Sequence, residues 1–229
     1  MQLYKVHGGT EIDLLERKYN IGVGISLGNK WFTVENSIAL TKWALEHTKE
    51  CVVVCVADSI NAINMEVRNK ISPERALRSS LAKGEKILEE VRAHIQSVSS
   101  PADMQKIHFA KWDDFHTEQY RGKTAFLNSQ YETNKEFADT IHNMVRNFTS
   151  KETRVFSDEE IHKLGKYLLE ELPELAAVTT INGVTCEAHA YPFDGEFLQF
   201  IGQMQRREVF PEIGAKIIDE GPKVFLEVR

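Results

Sequence analysis

The sequence predicts an α/β fold, a mostly parallel sheet with helices on both faces, in a single domain spanning residues 1–229. Three observations predict it. Short apolar runs rich in β-branched residues, NIGVGIS at 20–26 and CVVVCVAD at 51–58, alternate with long segments of helical period. The second run is apolar on both faces, as a central parallel strand is. A chain of 229 residues, 42% apolar and 27% charged, is large enough for one substantial core and too apolar for disorder.

The elements follow in order. NIGVGIS ends in a turn at LGN, and TVENSIALTKWALEHT (33–48) is a helix capped by Thr33, with Asn36 where a capping box would carry Glu. CVVVCVAD is the next strand. Residues 59–70 have helical period, and Pro73 opens another helix reaching about residue 97. KIHFAKW (106–112) is a third strand. Residues 128–149 and 157–173 are helical, the latter opened by a Ser157–Glu160 capping box. GVTCEAHAYP (183–192) reads as a strand stopped by proline, residues 195–207 as a helix, and PKVFLEV (222–228) as the last strand. No internal repeat or Pro/Gly/Ser-rich linker interrupts them.

Composition narrows the setting. No stretch approaches the ~20 apolar residues of a membrane helix, and the first residues are too polar for a secretory signal. Three cysteines, an odd number, suit a reducing cytoplasm better than a disulfide framework. The net charge of −6 gives no overall attraction for nucleic acid, although a local basic surface could still provide one.

Two places carry chemistry. Ser26 lies at the carboxyl end of a strand, where open α/β sheets bind ligands, ahead of a helix whose N-terminal N–H groups could stabilise negative charge. Taken alone it is more often simply a turn residue. Gly24-Ile25-Ser26-Leu27-Gly28 also fits the GxSxG elbow of serine hydrolases, with His7-Gly8-Gly9 as a partial oxyanion motif and His189 as the late histidine. That serine, however, normally follows several strands, and Ser26 ends the first one legible here. The second place is YLLEELP (167–173), where Tyr167 and Glu171 share a helical face and could hold an ammonium group, with Glu170 off that face in solvent. An incidental surface pair is the commoner meaning of such spacing. Tyr191, at a strand end before Pro192, could relay protons or simply anchor the strand.

In order and spacing, GISLGNKWF, Asp58 with Asn64 beyond it, Trp112-Asp113, YLLEELP and AYP (190–192) resemble the cyclodipeptide synthases, over about residues 20–195. The resemblance implies a Rossmann-like fold related to the catalytic domains of class I tyrosyl- and tryptophanyl-tRNA synthetases, with no metal or other cofactor. It implies that Ser26 accepts an aminoacyl group from a first aminoacyl-tRNA, and that Tyr167 and Glu171 hold its α-amino group. Tyr191 would assist proton transfers while a second aminoacyl-tRNA supplies the other half of a cyclic dipeptide. Tyr191-Pro192 fits the Tyr-Pro group of the family, whereas Asn29 fits the other group.

Further expectations are the resemblance's alone. Gly24, Asn29 and Asp58 would border the substrate. Arg75, Arg78, Lys83 and Lys86, opposite an apolar face of Leu77, Leu81, Leu88 and Val91, would meet tRNA phosphates. Glu174 and His189 would face the first amino-acid pocket, where a carboxylate favours a basic or imidazole side chain such as histidine. A monomer is the family's precedent. A serine esterase and a non-catalytic tRNA- or nucleotide-binding module are the rival readings. Cys51, Cys55 and Cys186 read as packing residues, and His116, His142 and His162 share no metal spacing.

Overall fold

The computed structural model describes residues 1–193 and 195–229. Six strands, β1 (Leu3–His7), β2 (Ile21–Ile25), β3 (Val52–Val56), β4 (Ile107–Lys111), β7 (Ala188–Tyr191) and β8 (Val224–Val228), form one sheet in the order β1-β8-β7-β2-β3-β4. All neighbours are parallel except β1, which runs antiparallel to β8 at the edge. Every residue of β3 and β8 is buried, which explains the unbroken apolar run of β3 and the apolar run of β8, broken only by the buried Glu227. From β2 the chain winds outward to β3 and β4, then returns to β2's other side to lay down β7 and β8. The strand order therefore reverses between β2 and β7, and their carboxyl ends border the crevice of a Rossmann-like sheet.

The helices are α1 (Glu11–Leu15), α2 (Val34–His47), α3 (Asp58–Asn69), α4 (Pro73–Val98), α5 (Pro101–Met104), α6 (Glu118–Thr133), α7 (Lys135–Thr149), α8 (Asp158–Ala176), α9 (Glu196–Gln205) and α10 (Pro211–Ile217). Two caps are the expected ones. Thr33 accepts a hydrogen bond from the Asn36 N–H at 3.2 Å, and Ser157 and Glu160 form a full capping box.

Several boundaries differ from the sequence reading. β1 was not anticipated, because LYKVH is a half-exposed edge strand without a strong apolar run, so Ser26 follows the second strand. The helix expected over 128–149 is two, divided at Asn134, whose side chain caps α7 by accepting from the Phe137 N–H. α8 continues through Pro173 to Ala176. The strand expected over 183–192 is also two. β6 (Val184–Cys186) pairs with β5 (Thr179–Ile181) in a separate hairpin around Asn182-Gly183, both at positive φ, and only β7 joins the main sheet.

The buried face of α4 is Ala76, Ser80, Gly84, Leu88, Val91 and Ile95, while Leu77 and Leu81 are exposed. α3 crosses α4 so closely that only small residues fit. A Cβ on Gly84 would stand 2.4 Å from the Asp58 Cβ. Ser80 donates to the Asp58 carbonyl at 2.7 Å and accepts from Asn61 at 2.9 Å.

Candidate active site

A cavity of about 1370 Å³ opens at the crevice between β2 and β7. Ser26, Tyr167, Glu171 and Tyr191 all line it, together with Gly24, Asn29, Lys83, Glu174 and His189. Three elements bring these four side chains together: the end of β2, the inward face of α8 and the end of β7.

The serine loop is tied at several points. The Asn29 N–H donates to the Ser26 carbonyl at 3.3 Å, and the Asn29 side chain accepts from the Trp31 N–H at 3.0 Å. The Asn36 side chain donates to the Trp31 carbonyl at 2.8 Å. Lys83 reaches across from α4 and donates to the Leu27 carbonyl at 2.6 Å. Asn29 thus shapes the loop from within. Residues 27–33 connect Ser26 to α2, which begins where the sequence places it.

Tyr167 donates to Glu171 Oε1 at 2.7 Å, one turn along α8. Burial pushes the Glu171 carboxyl up to about 8; the Tyr167 hydrogen bond opposes this and the neighbouring Glu174 charge adds to it. Glu171 therefore holds a proton at neutral pH. Burial, then the Glu171 charge, pushes Tyr191 up to about 12, against smaller lowering influences from Asn29 and Ser26. Tyr167 rises well above the ordinary phenol range for the same leading reasons, again opposed by Ser26. Ser26 thus acts on both phenols. Tyr191 packs against Phe32 at 5.2 Å and Phe193 at 6.3 Å between ring centroids, and Trp31 leans on both Phe32 and Phe193. This aromatic collar was not singled out in the sequence, because its members are spread over two loops.

Behind this group stand Glu174 and His189. Glu174 is buried inside α8, not exposed after it. Its Oε1 accepts from Lys223 Nζ at 2.8 Å and lies 3.4 Å from His189 Nδ1. Despite the cost of burial, Lys223 foremost and then His189 hold the Glu174 carboxyl down to about 2. A free carboxylate selecting a basic side chain, as expected from position, is thus not what the pocket presents. Lys223 escaped the sequence reading because it lies in the final strand segment, 49 residues after Glu174. The His189 ring fills the space beside Gly24, where a Cβ would meet it at 2.9 Å. His189 pairs in register with Gly22, well below Ser26 on the neighbouring strand.

Other expected residues lie elsewhere. Asp58 does not line the cavity: its Oδ1 accepts from the N–H groups of Ser59 at 2.9 Å and Trp112 at 3.1 Å, joining α3 to the end of β4. Trp112 does line it, and its indole N–H is buried with no partner among the described residues. Arg75, Arg78, Lys83 and Lys86 are all exposed on α4, but the Lys83 ammonium is tied to the serine loop through the Leu27 carbonyl. Glu170 is half-buried, and its carbonyl accepts from Tyr120. Arg68, Lys151 and the exposed Phe148 also line the cavity, basic and aromatic groups that no motif had marked. Among the described residues, no group of His, Cys, Asp and Glu side chains is arranged to hold a metal, and no helix is long and apolar enough to cross a membrane.

Comparison with known proteins extends this picture. A family model for cyclodipeptide synthase matches residues 8–208. A cyclo(L-leucyl-L-phenylalanyl) synthase of Streptomyces noursei is 24% identical over 186 residues, covering 80% of this chain and 77% of that protein. A Mycobacterium tuberculosis structure, described as relating cyclodipeptide synthetases to type I tRNA synthetases, superposes with a TM-score of 0.70 at 18% identity, over 98% of this chain and 93% of that one. A cyclodipeptide synthase of Candidatus Glomeribacter gigasporarum bound to Phe-tRNAPhe gives a TM-score of 0.57 at 16% identity, over 92% and 88%. These two structural likenesses bear on the fold. The family match spans the serine loop, the Tyr167–Glu171 pair and Tyr191 alike, and the chain belongs to the cyclodipeptide synthase family.

Proposed function

We propose that this chain joins two amino acids, each delivered on a tRNA, through acyl groups carried on Ser26. The single observation supporting this most is the convergence of Ser26, Tyr167, Glu171 and Tyr191 on one cavity at the β2/β7 crevice. In the first step Ser26 Oγ attacks the ester carbonyl of an aminoacyl-tRNA. The ribose oxygen leaves with a proton, and the amino acid remains as a serine ester. Its α-amino group lies against Tyr167 and Glu171.

That amine must lose its proton to attack the ester of the second aminoacyl-tRNA. The ionised minority of Glu171, whose carboxyl is raised to about 8, is the form that accepts this proton, and the raised value matches it to an amine. The attack forms an amide, releases the second tRNA and leaves a dipeptidyl ester on Ser26. The new terminal amine then attacks that ester carbonyl, closing the cyclic dipeptide and returning the proton to Ser26. Tyr191, within the influence of both Ser26 and Glu171, relays protons in these later steps. The ester of each substrate supplies the driving force, so each difficult transfer is divided into simpler ones.

One substrate carries a polar side chain such as the imidazole of histidine. The support is His189 at the inner wall of the cavity, a polar ring whose Nδ1 has no hydrogen-bond partner among the described residues. Arg75 and Arg78 are the proposed phosphate contacts, being exposed on the first turns of α4. An esterase triad finds less support, because His189 lies in register with Gly22 and not beside Ser26.

Expression in a bacterial host, with mass spectrometry of the medium, tests the reading. A cyclic dipeptide from the wild type and none from Ser26→Ala is expected. The same product from Ser26→Ala, or a folded wild-type protein that binds tRNA and yields nothing, would overturn it.

A further inference from the structure

Lysine is rarely buried without a partner and a purpose, yet Lys223, just ahead of β8, is only 2% exposed. Its ammonium donates to Glu174 Oε1 at 2.8 Å and to Thr179 Oγ1 at 2.7 Å. Its backbone N–H donates to the Ala176 carbonyl at 3.2 Å, which fixes the strand entrance against the end of α8. Glu174 and His189 line the cavity, while Lys223 stands behind them and does not.

The electrostatics of that wall are simple. Cys55, Cys186 and Phe225 also line the cavity, and burial pushes both thiols up, so all three are uncharged. Glu171 holds its proton through neutral pH. Among the described residues around His189, Glu174 is thus the ionised carboxylate, and its counter-charge is already in place behind it.

We propose that Lys223 sets the charge selectivity of the amino-acid pocket: by holding Glu174 in an ion pair from behind the wall, it makes the pocket receive uncharged side chains and refuse those of lysine and arginine. The inference rests on the reading that this cavity seats the aminoacyl group carried on Ser26. An unpaired carboxylate in a dehydrated pocket would draw in a cationic side chain through a charge-assisted hydrogen bond. Occupied by Lys223, it offers a second cation only a shared acceptor and the repulsion of a nearby ammonium, undiluted by water. An uncharged side chain meets neither cost and finds the His189 ring as its polar contact.

The test compares wild type, Lys223→Met, Glu174→Gln and the double variant in a bacterial host, reading cyclic dipeptides by mass spectrometry. Wild-type products should contain no lysine or arginine. Lys223→Met, which frees the carboxylate, should raise the share of lysine- or arginine-containing products roughly tenfold or more. Glu174→Gln, which frees the ammonium, should shift products toward aspartate and glutamate by a similar factor. The double variant, with no charge left unpaired, should return to uncharged partners. Should a single variant fail to fold, wild type and the double variant still decide, since a cationic product from either overturns the proposal. Identical products from all four proteins would make Lys223 purely structural and leave the catalytic reading intact. No cyclic dipeptide from the wild type would strike the catalytic reading first, and the inference would fall with it.

Discussion

Tyr167 donates a 2.7 Å hydrogen bond to Glu171 across one turn of α8, and this contact only partly offsets the burial that raises the Glu171 carboxyl to about 8. A carboxyl raised in the folded state above its ordinary 4.5 favours folding most at low pH. Its contribution is complete below 4.5 and is lost as pH rises toward 8, with a slope of up to about 1.4 kcal/mol per pH unit. Glu171→Gln carries no such penalty. The variant should be inactive yet more thermostable than wild type, with a Tm advantage that widens from pH 5 to pH 8. Equal Tm values across that range would mean Glu171 is not the buried, protonated group described.

The two roles proposed for the α4 cations are ones that salt titration separates. Arg75 and Arg78 are exposed, and each replaced by Ala should weaken tRNA binding and reduce the salt slope by about 1. Lys83 instead ties down the Leu27 carbonyl. Lys83→Ala should lower the rate of acyl transfer to Ser26 by roughly tenfold, the worth of about one hydrogen bond to a charged group. The salt dependence of tRNA binding should stay unchanged. A reduced salt slope for Lys83→Ala would return it to the phosphate-binding set.

How much of this was legible in sequence depended on the range of the interactions. β2, β3 and β8 were visible because burial on both faces leaves short, largely apolar runs, broken in β8 only by Glu227. β1 was not, since an edge strand half open to solvent has no such signature. The β5–β6 hairpin did have a signal, Asn182-Gly183, that went unused. Ser26, Tyr167, Glu171 and Tyr191 were each weak alone and gained meaning only from their order along the chain. The Lys223–Glu174 pair and the tie from Lys83 to the Leu27 carbonyl are contacts between distant segments, and nothing local announces them.

Gly84 marks the closest approach of α4 to α3, and helix propensity alone would favour Ala there by about 1 kcal/mol. Packing reverses the sign, since a Cβ would stand 2.4 Å from the Asp58 Cβ, on a residue held through its carboxylate and its carbonyl. Gly84→Ala should therefore destabilise the protein by about 1–3 kcal/mol in urea denaturation. A neutral or stabilising result would show that the α3–α4 seam yields more readily than its hydrogen bonds imply.

Glu174 titrates in the opposite sense to Glu171, three residues away on the same helix. Lys223 and His189 hold it down to about 2, so its contribution to stability is present above the ordinary 4.5 and is lost as pH falls toward 2. Glu174→Gln leaves the buried Lys223 ammonium without its counter-charge, a change that costs about 3–5 kcal/mol in comparable buried pairs. The deficit against wild type should be largest at pH 7 and shrink as pH falls through 4 toward 2, measured by urea denaturation at each pH. Adding Lys223→Met removes the stranded charge, so the double variant should recover much of the loss at pH 7. A deficit independent of pH, or a double variant no more stable than Glu174→Gln, would mean that packing and not charge holds this wall together.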